Sequence, residues 1–218
     1  MAIFQKIKIC GINDLKIVQA INNFKIGFVG FIAYEKSPRF ISKQKYFELA
    51  SNLDNEISSV LVVVNPDIAM LKDYIEVFSP DFIQLHGSES LNLIQQIKQQ
   101  FGLPIIKAIP ANADISGQIE HYQSHVDMLL FDTSHGGSFG GTGVSFDWDL
   151  LKRQYITKPY FLSGGIGSHN IKAALATKAD FIDVSSSLES EKGVKDVAKI
   201  QFFMNIVQEY ESESQLSN

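Results

Sequence analysis

The chain has 218 residues, 45% of them hydrophobic and 20% charged, with 15 Gly and 6 Pro, a composition that excludes a disordered, collagen-like or coiled-coil polymer. Its formal net charge is −5 and no dense Lys/Arg cluster occurs, which argues against nucleic acid or an anionic membrane as partner. Cys10 is the single cysteine, so an intrachain disulfide and a cysteine-based structural zinc site are both ruled out.

Short β-rich apolar runs predict strands at 6–10, 26–34, 60–64, 82–85, 105–109, 128–131, 159–162 and 181–184. Most are continuously apolar instead of alternating, as expected of a parallel sheet covered by helices on one face and by a packed interior on the other. Between and after them, helical patterns cover 14–22, 42–53, 67–78, 88–100, 113–124, 148–152, 168–177 and 194–210. Asn65-Pro66-Asp67, Ser88 and Ser168 stand where side-chain acceptors or a proline start helices. Strict alternation with eight strands, at about 27 residues per unit, predicts a single-domain α/β (β/α)8 barrel over 1–210. Residues 211–218 show no apolar period and are expected to form a frayed tail. No run approaches a membrane span, and the start MAIFQKIKICGIND lacks the order of a secretory signal. A reducing cytoplasm is the expected location.

Chemistry in such a barrel sits where the strands end. After the seventh run, SGGIG sets Gly164 and Gly165 ahead of a helix, and after the eighth, Ser185 and Ser186 open a short turn that can form an extra helix through Leu188. Bare backbone N–H groups and a helix start at these two strand ends suit a phosphate, although glycines there also serve simply to turn the chain. The loop SHGGSFGGTGVSFDW holds Gly140, Gly141 and Gly143 and reads as a lid or as an uncommitted surface loop.

Cys10 and Asp132 close the first and sixth runs, where a thiol and a carboxyl across the mouth can act as base and acid. A cysteine at a strand end is more often a small buried hydrophobe, and an aspartate more often a loop cap. To serve as a base near neutrality the thiol needs a lowered pKa, and hence a nearby cation or backbone donors. Arg39 is one of two arginines among 17 lysines, and its planar fork suits a substrate carboxylate as readily as a solvated loop. His86 in QLHG is a candidate hydrogen-bond donor or a structural histidine. His121, His125, His135 and His169 lack metal-ligand spacing, so no metal is expected.

Taken in order, KICGI at 8–12, the stretch from Gly30 to SPR at 37–39, QLHG at 84–87, FDT at 131–133, GGTG and FDW at 140–148, SGGI at 163–166 with Asn170, and DVSSSLE with GVKD at 183–196 resemble the phosphoribosylanthranilate isomerase family. The blocks span nearly the whole chain. The resemblance implies an Amadori rearrangement of N-(5-phosphoribosyl)anthranilate to 1-(2-carboxyphenylamino)-1-deoxyribulose 5-phosphate without metal or organic cofactor. It implies Cys10 as general base, Asp132 as general acid, Arg39 at the anthranilate carboxylate, and Gly164, Gly165, Ser185 and Ser186 at the phosphate, with His86 and Gly141 among the substrate-binding residues. The partner is then a small phosphorylated molecule, with a monomer favoured over a loop-mediated dimer. Ser187 departs from the family's usual glycine and predicts a less accommodating phosphate turn; Asn13 stands where Thr is common. Indole-3-glycerol-phosphate synthase, with an acid lysine for which Lys107 is the candidate and with a longer N-terminal segment, and a non-catalytic phosphate-ligand sensor are the rival readings.

Overall fold

A computed structural model describes residues 2–111, 114–133 and 146–216. Eight parallel strands, β1 (Ile7–Cys10), β2 (Phe28–Ile32), β3 (Ser58–Val63), β4 (Phe82–Leu85), β5 (Ile105–Ala111), β6 (Met128–Thr133), β7 (Tyr160–Leu162) and β8 (Phe181–Val184), close into a barrel in chain order, with β8 paired to β1. The helices that follow them are α1 (Leu15–Ile21), α2 (Lys43–Ala50), α3 (Ile68–Val77), α4 (Leu91–Phe101), α5 (Ile115–Tyr122), α6 (Asp149–Lys152), α7 (Ile171–Ala176) and α8 (Val197–Leu216). This is the (β/α)8 architecture that the alternation predicts.

The continuous apolar runs have a simple cause: every strand is buried on both faces. Outward residues such as Ile9, Val29, Leu61 and Ile83 meet the helices, and the inward set forms a separate inner cluster. Alternate strands fill alternate layers of the interior. Even strands lay the floor with Phe28, Phe82, Met128 and Phe181, where Phe28 meets Phe82 and Phe181 edge-on with ring centroids 5.7 and 5.1 Å apart. Above it, Lys8 shares the odd-strand layer with Val60, Ile106 and Phe161. Gly30, Gln84, Leu130 and Asp183 follow, and toward the mouth stand Cys10, Val62 and Ala108. The interior thus turns from aromatic at its floor to polar at the carboxyl ends of the strands.

Local signals hold in part. Asp67 caps α3 through Met70 N at 2.7 Å, as predicted. Ser88 does not cap α4; its N–H donates to Asn65, and Ser90 supplies the cap to Leu93 N, because the loop carrying Glu89 intervenes. Ser168 likewise precedes the N-cap position of α7, which Asn170 occupies. Residues 194–195 are not helical: Val194–Lys195 (β10) pairs antiparallel with Glu189–Glu191 (β9) across Gly193, at φ +90°, and α8 begins after Asp196, whose carboxylate accepts from Ala198 N at 2.8 Å. The expected fraying past Tyr210 is also corrected. The helix runs to Leu216, held where Lys172 reaches Glu213 at 2.9 Å and Ile3 N donates to Glu211. These are tertiary contacts that an apolar period does not register. No helix of the described residues is long and apolar enough to cross a membrane.

Candidate active site

A cavity of about 700 Å³, open to solvent, lies at the carboxyl ends of the strands. Cys10, Arg39, His86, Asp132, Gly164, Gly165, Ser185 and Ser186 all line it, so eight of the nine residues singled out in the sequence converge on one mouth. The ninth, Gly141, and the whole lid candidate at 134–145 lie outside the described residues.

Cys10 ends β1 with its side chain turned inward, in the space that Gly30 leaves on the neighbouring strand. A Cβ at Gly30 would stand 2.6 Å from Sγ. Two residues earlier on the same face, Lys8 is fully buried, with Nζ 2.8 Å from Asp183 Oδ1 and 5.9 Å from the Phe161 ring centroid. The other carboxylate oxygen of Asp183 accepts from Ser163 Oγ at 3.0 Å. The expected cations are therefore present. Their fields, from Lys8, Lys195 and Arg39, favour the thiolate, but burial and the Asp183 charge oppose them, and the thiol is pushed up instead of down. This corrects the expectation of a lowered thiol.

Asp132 is the penultimate residue of β6, three strands from β1 around the closed barrel. Its Oδ1 accepts from Thr133 N at 2.8 Å, and Oδ2 faces His86 Nε2 at 3.4 Å. His86 Nδ1 lies 2.8 Å from the amide nitrogen of Gln84, which is fully buried one step down β4. Gly164, at φ +85°, is required twice over. Its backbone is left-handed, and a Cβ would stand 2.7 Å from Thr133 N and 3.0 Å from Asp132 Oδ1.

Arg39 reaches the rim over Gly11, with Nε and Nη2 bound in bidentate fashion to Glu189 at 2.6 and 2.9 Å. Glu189 also accepts from Lys195 Nζ at 2.6 Å and Gly193 N at 3.0 Å, and these partners hold its carboxyl at about 2 despite its burial. The guanidinium is thereby fixed in plane, and its Nη1 has no hydrogen-bond partner among the described residues. Sequence reading missed Glu189, Lys195, Lys8, Asp183 and Gln84. Lys8 and Asp183 sit inside strands, and a charged residue in an apolar run was the available signal.

Gly164 and Gly165 (φ +64°) open the turn after β7, and Ser186–Leu188 form one turn of 3-10 helix after β8. Ser185 Oγ donates to Cys10 O at 2.9 Å, fastening this turn to β1. Ser187 does not have positive φ, so its Cβ costs the turn nothing, and its hydroxyl donates to Ile166 O at 2.6 Å, tying the two turns together. Lys107, the acid candidate of the rival reading, is not at the mouth. Its ammonium is buried against Glu89 at 2.8 Å and the carbonyls of Leu85, Gly87 and Ala108, where it holds the loop after β4.

Comparison with known proteins agrees with this geometry. The family model for N-(5'-phosphoribosyl)anthranilate (PRA) isomerase matches residues 7–206. The chain is 38% identical over 215 residues to the N-(5'-phosphoribosyl)anthranilate isomerase of Beijerinckia indica, with 96% of each chain covered, and 39% identical over 210 residues to that of Agrobacterium fabrum, covering 94% of this chain and 95% of the other. A crystal structure of phosphoribosyl anthranilate isomerase in complex with reduced 1-(o-carboxyphenylamino)-1-deoxyribulose 5-phosphate superposes with a TM-score of 0.78 at 27% identity, covering 96% of this chain and 100% of the other. Barrel and sequence agree, and the chain belongs to the N-(5'-phosphoribosyl)anthranilate isomerase family.

Proposed function

We propose that this protein isomerises N-(5'-phosphoribosyl)anthranilate to 1-(o-carboxyphenylamino)-1-deoxyribulose 5-phosphate by general acid–base catalysis, as a cytoplasmic and monomeric enzyme that needs neither metal nor organic cofactor. Asp132 protonates the ribose ring oxygen as the C1–O bond breaks and the anthranilate nitrogen forms C=N. Cys10, as thiolate, removes the C2 proton, the electron pair moves into C1=C2, and ketonisation of the resulting enaminol completes the isomer. Arg39 meets the anthranilate carboxylate with the donors that Glu189 leaves open. The backbone of Gly164 and Gly165 and the turn at Ser185 and Ser186 hold the phosphate.

The observation that carries this reading is that Cys10 and Asp132 line one cavity from strands three steps apart, beside both phosphate-type turns. A substrate held by its phosphate would lie between base and acid. The test follows anthranilate-type fluorescence as purified protein meets phosphoribosylanthranilate generated in situ. Wild type turns over, and Cys10→Ala and Asp132→Asn each lose about 10²-fold or more. Activity that survives both substitutions removes the assignment of roles, and a silent wild type that still binds sugar phosphate favours the sensor. Because burial raises the Cys10 thiol, the rate is expected to climb with pH above neutrality as the thiolate forms.

A further inference from the structure

Asp132 can act as an acid only if its proton is aimed at the substrate, and the surrounding hydrogen bonds limit where that proton can sit. Oδ1 is engaged by Thr133 N at 2.8 Å and lies 3.4 Å from Thr133 Oγ1, so the acidic proton belongs on Oδ2. Among the described residues, the polar neighbour of Oδ2 is His86 Nε2, at 3.4 Å. If that nitrogen bears a lone pair, the proton on Oδ2 turns to the imidazole and is withheld from the cavity. If it bears a hydrogen, that hydrogen faces Oδ2 across the 3.4 Å gap, and the carboxyl's own proton is directed to the other side. The tautomer of His86 therefore decides whether Asp132 is a usable acid.

The tautomer is set from the opposite edge of the ring. Nδ1 faces the side-chain nitrogen of Gln84 at 2.8 Å, and an amide nitrogen carries only hydrogens, so with the amide in this orientation Nδ1 offers its lone pair and Nε2 carries the proton. Gln84 is 0% exposed, one layer below the mouth, and its Oε1 has no hydrogen-bond partner among the described residues. The imidazole is thus the partner that orients this amide. An apolar residue would pack as well at that depth, as Leu130 does in the same layer.

We propose that Gln84 is a positioning residue that locks His86 in its Nε2–H form and so aims the acidic proton of Asp132 into the cavity. This rests on the acid role assigned to Asp132 above. After transfer, the same Nε2–H stabilises the carboxylate left behind, together with Thr133 N.

The informative substitution is Gln84→Glu, nearly isosteric but an acceptor where the amide donates. Nitrogen-15 spectra of the imidazole read the tautomer without reference to activity. In the wild type, Nδ1 of His86 should be unprotonated and Nε2 protonated; in Gln84→Glu, Nδ1 should gain a proton. With the tautomer lost, kcat should fall by at least about tenfold with KM little changed, the pattern of an interaction made in the transition state. Gln84→Leu, which removes the donor without supplying an acceptor, should fall less. In a His86→Ala background, Gln84→Glu should have no further effect on kcat. A wild-type spectrum with Nδ1 protonated overturns the proposal, as does a Gln84→Glu loss that is the same with and without His86, which would mark a merely structural role. Full activity in Asp132→Asn would instead overturn the acid assignment and leave the spectra to judge Gln84 alone.

Discussion

Cys10 on β1 stands over a buried ion pair, Lys8 with Asp183 at 2.8 Å, whereas Asp132 on β6 stands beside the His86 imidazole, backed by the Gln84 amide. The two sides of the mouth carry the two proposed catalytic groups at similar depth, yet one is supported by charge and the other by hydrogen-bond direction. The difference follows from what each group must do. A thiol that burial pushes up needs a cation to form thiolate at all. A carboxyl that must deliver a proton needs a neighbour that does not accept it. Burial works against the Lys8 charge, and the Asp183 carboxylate outweighs it, so the base side depends on a buried charge pair staying intact.

The sharpest way to break the comparison is Lys8→Met, which strands the Asp183 carboxylate inside the barrel. It should cost about 3–5 kcal/mol in denaturant unfolding, and the double variant Lys8→Met/Asp183→Leu should recover much of that. Equal stability of wild type and Lys8→Met would show that the base side does not depend on that charge pair.

Next comes the pH dependence of the rim. Glu189 falls from 4.5 to about 2 in the folded protein, so its contribution is fully present above its unfolded value and is lost as pH drops from about 4.5 toward 2. That window should carry up to about 3 kcal/mol. Chemical denaturation at pH 6 and pH 3 should show the loss, and Glu189→Gln should remove most of the difference while lowering stability at pH 6.

Gly30→Ala tests placement without altering charge. The added methyl would stand 2.6 Å from Cys10 Sγ, and displacing the thiol by a fraction of this should cut kcat/KM by about 10²-fold, a loss seen in the fluorescence assay at saturating phosphate-bearing substrate as well. The smallest effect belongs to Ser187→Gly, which removes the hydroxyl bond to Ile166 O. It should lower stability by about 1 kcal/mol and leave KM near the wild-type value; a clear gain in substrate affinity would restore the view that Ser187 obstructs the phosphate turn.

The sequence by itself determined the alternation of strands and helices, because doubly buried strands must be continuously apolar and the helices α1 to α4 carry side-chain caps. It also determined the cavity-lining residues at the strand ends. Cys10, Arg39, His86 and Asp132 interrupt apolar runs or follow them, Gly164 marks backbone that a side chain would block, and Gly165 marks a left-handed turn. What only the tertiary structure decided lies one residue pair deeper. Lys8 meets Asp183 across 175 positions of chain, Arg39 meets Glu189 across 150, and His86 stands between Gln84 and Asp132. No periodicity encodes such partners, since burial permits a charge or an amide only where closure of the barrel brings up its complement. The same holds at the end of α8, where helix packing against Lys172 and Ile3 overrode a polar tail. Closure of β8 onto β1 is what brings the strand-end residues, the proposed base and acid among them, around one mouth.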